Sequence, residues 1–112
     1  MKYAPGITSA RTKGFVEVGR HTAVLLTDIV SVGPVEYLYV VAVFPGDSVD
    51  PCFYVASEVN KMARQLGRGS HFLGLFDGDG HLNRGASDDW ASEEKFFAEA
   101  LRIIKETFGG NE

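Results

Sequence analysis

The stretch Val35–Phe44, which reads Val-Glu-Tyr-Leu-Tyr-Val-Val-Ala-Val-Phe, constrains this chain most. It is rich in β-branched and aromatic residues, the types that suit a pleated strand. Alternate residues of a strand point to opposite faces. One face would carry Leu38, Val40, Ala42 and Phe44, and the other Tyr37, Tyr39, Val41 and Val43. Both faces are apolar, so the strand is expected at the centre of a sheet with a cover on each side. One long helix can cover one face. The other calls for a second helix or a second copy of the chain.

The first cover is legible at the C-terminal end. Trp90, Phe97, Leu101, Ile104 and Phe108 form a stripe at helical spacing, flanked by Phe96, Ala100 and Ile103. Glu94, Glu99, Arg102, Lys105 and Glu106 occupy the opposite side, which is the pattern of a helix lying on a core. The helix is expected over 93–108. Asp88, Asp89 or Ser92 can cap it, Glu93 and Glu94 complement its dipole, and Gly109-Gly110 ends it.

Further strands are expected at Phe15–Val18, at Thr22–Val30 after a Gly19-Arg20 turn, and from Cys52 to Val55. Short turns between successive strands imply an antiparallel meander. Val55, Val59, Met62, Ala63 and Leu66 fall at helical spacing, so a short helix is expected over 57–66, with continuation of the strand as the competing reading. His71–Phe76 returns to extended structure, and Asp77–Asp89 reads as a long loop. The expected fold is therefore α+β: an antiparallel sheet of about five strands, four in a meander and a fifth after the short helix, packed against a C-terminal amphipathic helix. Residues 1–13 lack periodicity and are expected to be a flexible basic arm, leaving 14–110 as a single domain.

At 112 residues, 45% apolar and 23% charged, the chain suits one globular domain and excludes disordered, collagen-like and coiled-coil classes. The net charge is −4 and unevenly placed. Residues 1–20 hold four bases against one acid, and residues 77–112 nine acids against four bases. Spaced bases make a weak footprint beside those of nucleic-acid binders, so nucleic acid is not an expected partner. Cys52 is alone, which fits a reducing compartment and a small buried hydrophobe. No secretory signal or membrane-length apolar run is visible, and the cytoplasm is the default location.

The most suggestive chemistry lies in Asp77-Gly78-Asp79-Gly80-His81-Leu82-Asn83, followed by Ser87-Asp88-Asp89. Closely spaced carboxylates with intervening glycines can wrap a divalent cation. The calcium-loop pattern fails at its strict positions, because Leu82 stands where the glycine belongs and Asp88 where the bidentate Glu belongs. Asp-Gly pairs also form tight turns, and Asp88 can simply cap a helix. His71, His81 and His21 are the histidines. His71 or His21 approaching Asp77 or Asp79 would make an acid–base pair or a metal site. Asp77, Asp79, His81, Asn83, Asp88 and His71 are thus the candidate ligand-binding residues, with Asp77 and Asp79 the weak metal candidates.

Gly67-Arg68-Gly69-Ser70 lacks the spacing of a phosphate loop, and no nucleophile elbow, Cys-x-x-Cys pair or dinucleotide fingerprint occurs. Glu58 and Asp28 are acids in apolar surroundings. An acid turned toward a core would have a raised pKa and could carry a proton, but an edge-facing position is the expectation. With no complete catalytic set, the expected function is a non-enzymatic binding or protein-interaction module that forms a homodimer. The rival is a small metal- or anion-dependent enzyme using the Asp77–Asp89 loop, with a divalent cation as its cofactor.

Overall fold

The structure is a computed structural model that describes residues 4–62 and 69–109. Six strands form one antiparallel sheet in sequence order: β1 (Ile7–Val18), β2 (His21–Ser31), β3 (Tyr37–Pro45), β4 (Phe53–Val59), β5 (His71–Phe76) and β6 (His81–Ser87). A 3-10 turn at Asp88–Ala91 leads into the helix α1 (Glu93–Phe108). The class is α+β, an antiparallel meander with a C-terminal helix. No helix among the described residues is long and apolar enough to cross a membrane.

The helix forms where its stripe and caps predict. The Ser92 hydroxyl accepts from the Lys95 N–H at 3.3 Å, and the Gly109 N–H donates to the Lys105 carbonyl. Its apolar side, Phe96, Phe97, Ala100, Ile103 and Ile104, packs on Val18 of β1, Ala23 of β2, Val41 and Val43 of β3, Phe53 and Val55 of β4 and Leu73 of β5. Phe96 and Ile104 are fully buried. Tyr39 stacks on Phe96 with ring centroids 5.9 Å apart. Burying a large apolar side chain stabilises by about 1.5–3 kcal/mol relative to leaving it exposed, so this layer dominates the fold's stability.

Among the described residues, the other sheet face carries no helix, and its apolar side chains pack on one another. Val40 and Ala56 are fully buried, with Phe76 nearly so, in a second cluster flanked by Ile7, Leu26, Ile29, Tyr37 and Tyr54. Val40 to Val43 are all at most 3% exposed within one chain. The two-sided apolarity of β3 thus has an internal answer, and the strand by itself does not call for a second copy. Val40, Ala56 and Gly74, in the middle of the face, lie in register across β3, β4 and β5, and Ala42 faces Tyr54 beside them. Larger neighbours can lean over them.

Several expectations need correction. The described residues form six strands, not about five. Residues 7–13, expected as part of an arm, belong to β1 and pair with β2 from Ile7↔Ser31 onward. Their side chains are mostly exposed, so they lack the apolar alternation that marks a strand in sequence. Residues 57–59 continue β4 rather than starting a helix, and 63–66 lie outside the described residues. β4 is central and covered on both sides, so its apolar residues fall on both faces and blur a period of two into one of 3.6. The Asp77–Asp89 segment is not one loop, because His81–Ser87 forms the edge strand β6. Its turn is the tight Asp-Gly kind, with Gly78 at φ 94°.

Candidate functional site

The sheet is continuous at one end and split at the other. β2 and β3 pair without irregularity from His21↔Pro45 to Leu26↔Val40, and their register stops there. Beyond it, β2 residues 27–31 pair only with β1, and Tyr37 and Tyr39 pair only with β4. Three bulges lie at the point of parting. Thr12 and Gly14 face the consecutive residues Leu26 and Leu25, leaving Lys13 extra on β1. Ser9 and Arg11 face Val30 and Thr27, so β2 carries one extra residue at Asp28–Ile29. Tyr37 and Tyr39 face Glu58 and Ser57, leaving Leu38 extra on β3. A bulge bends its strand and re-aims side chains. The Leu38 bulge also turns Tyr37 to the Val40 side of the sheet, not the Tyr39 side that strict alternation assigned to it.

These bulges converge on one solvent-open cleft of about 650 Å³. Arg11, Lys13, Thr27, Asp28, Leu38 and Tyr39 are among its lining residues, and Glu93 closes one side. Lys13 is ion-paired with Glu93, which ties β1 to the start of α1 at the cleft. Asp28 has φ 51°, the only positive value at a non-glycine among the described residues. Asp tolerates this left-handed conformation better than most side chains. Backbone held in such sparsely populated regions concentrates at functional sites.

A second polar feature lies on the helix-free face. Glu58, on central strand β4, is buried, not edge-facing as expected. Its Oε2 lies 2.7 Å from His81 Nε2. The carboxylate reaches His81 by crossing Gly74, the residue in register between β4 and β6. A Cβ on Gly74 would overlap the Glu58 carboxylate and come 3.0 Å from His81 Nε2. The His81 ring stacks on Phe76, centroids 4.3 Å apart and nearly parallel. Burial pushes the Glu58 carboxyl above the usual carboxylate range, and His81 opposes that shift. Burial, with Glu58 nearby, pushes the Tyr37 phenol up to about 12, so it stays neutral. Burial also raises Tyr54, whose ring meets Phe76 edge-on. The arrangement satisfies a buried acid inside an aromatic surround, as a buried charge requires.

The sequence candidates fall in several places. Asp77 Oδ1 accepts from the N–H groups of Asp79 and Gly80 at 2.9 Å, closing the β5–β6 turn on itself. Asn83 Oδ1 accepts from Gly85 N–H, and Asp88 Oδ1 from Ser70 N–H. His71 Nδ1 lies 2.8 Å from Ser70 Oγ, and burial lowers the pKa of its ring. His81 meets Glu58 and not the loop acids. Among the described residues, no three His, Cys, Asp or Glu side chains gather as a metal site would need. The Cys52 thiol is pushed up by burial, as suits packing rather than attack.

Sequence reasoning missed the cleft. Its signal was faint: Asp28 inside a β-branched run is the one residue that marks the point of parting. A scan against protein-family models finds no match, and comparisons with curated proteins and with solved structures find no significant match either.

Proposed function

We propose that this protein is a non-enzymatic binding module whose ligand enters the cleft between β2 and β3. The observation that supports this reading is the convergence of three bulges, one from each of β1, β2 and β3, on a single open cleft. A meander gains nothing in stability by parting its central strands, since each lost ladder step forgoes backbone hydrogen bonds. The strained Asp28 stands on the same lip. Elsewhere the polar side chains are absorbed by local structure: Asp77 by its turn, Asn83 by β6, and Glu58 by His81.

A fragment library followed by two-dimensional amide NMR tests the reading. Fragments are expected to shift the amides of residues 11–13, 27–29 and 37–39 together. Fragments that cluster elsewhere, or none that bind, would overturn it.

A further inference from the structure

Resting on that cleft reading, we infer that the ligand is an extended polypeptide segment that pairs its backbone antiparallel to β3 at Tyr37–Tyr39. Leu38 sits in a central strand, yet it has no register partner on β4, because it is the extra residue of its bulge. It has none on β2 either, because that register ends at Val40. On the other wall, Asp28 and Ile29 have no register partner on β1 or β3. Backbone donors and acceptors outside the ladder are left to solvent, and they are costly to leave unpaired once water is excluded. An added strand satisfies them, since main-chain pairing at a sheet edge is a general mode of peptide capture.

The direction follows from topology. β2 and β3 are antiparallel to each other, so an inserted strand is antiparallel to only one of them. The β3 side, although bulged at Leu38, runs on directly into the buried stretch Val40–Val43. The β2 side is broken by the left-handed turn at Asp28 and acts as a wall. The cleft's side chains carry both signs, with Arg11 and Lys13 against Asp28 and Glu93. Such a lining does not favour an anion or a cation, and it leaves the backbone as the common denominator of recognition. The Lys13–Glu93 pair lines the cleft at the start of α1.

The probe is a 12-residue random peptide library displayed on phage and selected against the whole protein. A selected peptide is then synthesised unmodified and with N-methyl groups at alternate residues, in two complementary sets. The expected result is amide shifts at 27–29 and 37–39, with one N-methyl set losing at least about tenfold in affinity and the other binding nearly as before. That period of two arises because alternate N–H groups of a strand point to the same neighbour. Peptides that shift the cleft amides but respond alike to both sets would overturn strand pairing while leaving the cleft reading standing. Peptides that bind elsewhere, or a selection that enriches none, would overturn the peptide inference. The fragment map then judges the cleft separately. Because the modification is on the peptide, no variant of the protein has to fold.

Discussion

The two faces of one sheet are held in contrasting ways. On the helix side, twelve buried residues form an apolar layer to which α1 contributes Phe96, Phe97, Ala100, Ile103 and Ile104. On the opposite side, among the described residues, the buried cluster is Val40, Ala56 and Phe76, and its neighbours include a carboxylate, an imidazole and two phenols. The helix side is specified by volume, which a chain can encode through periodicity. The opposite side is specified by register, because Glu58 meets His81 only if β4, β5 and β6 align across Gly74. The same contrast runs along the strands. The β2–β3 ladder is regular where the helix presses on it, at Ala23↔Val43 and Leu25↔Val41, and parts a few residues beyond.

The largest expected effect comes from breaking the volume side. Phe96→Ala should destabilise by about 3–5 kcal/mol, read as a fall in the denaturant midpoint. A loss below about 1 kcal/mol would mean the helix does not dominate stability. On the register side, Gly74→Ala places a methyl group where the Glu58 carboxylate lies. The carboxylate cannot swing away without leaving His81, so a cost of about 1–3 kcal/mol is expected. Wild-type stability in that variant would show that the pair is not held over Gly74.

The split end gives smaller effects. Asp28→Val forces a β-branched residue into left-handed backbone and should cost about 1–2 kcal/mol, whereas Asp28→Gly should be near neutral. Equal effects of the two would remove the left-handed geometry from the account. Ser92→Ala deletes the α1 cap and should cost about 1 kcal/mol by thermal or chemical unfolding.

The smallest effect is in pH dependence. Glu58 is raised in the folded state, so the native protein holds this proton more tightly than the unfolded chain does. Its stabilising contribution is complete below the ordinary glutamate range. It is lost as pH rises from there through the raised folded value. Glu58→Gln should flatten that decline in a series of unfolding curves, and an unchanged slope would assign the decline to other groups.

Much of the volume side was legible in sequence. The helix stripe from Trp90 to Phe108 repeats over four turns, and its caps are local. The two-faced β3 run announced a central strand, and Gly19 and Asp77–Gly78 announced their turns. Register is non-local, and it was not legible. The bulge residues Lys13 and Leu38 carry no compositional mark, and the Glu58–His81 contact joins residues 23 apart through two strand pairings. Residues 7–13 become a strand because β2 supplies the hydrogen bonds, although their exposed side chains contribute little hydrophobic pattern.

Residue-resolved hydrogen exchange of the unliganded protein tests the central claim, that β3 is sealed at Val40–Val43 and open at Tyr37–Leu38, most directly. The account predicts that the Val40–Val43 amides exchange only on global unfolding, independently of protein concentration. The amides of Leu38, Asp28 and Ile29 should exchange orders of magnitude faster. Equal protection of the two groups would mean the sheet is not split. Protection of Val40–Val43 that grows with concentration would mean a second chain provides the cover assigned here to the chain itself.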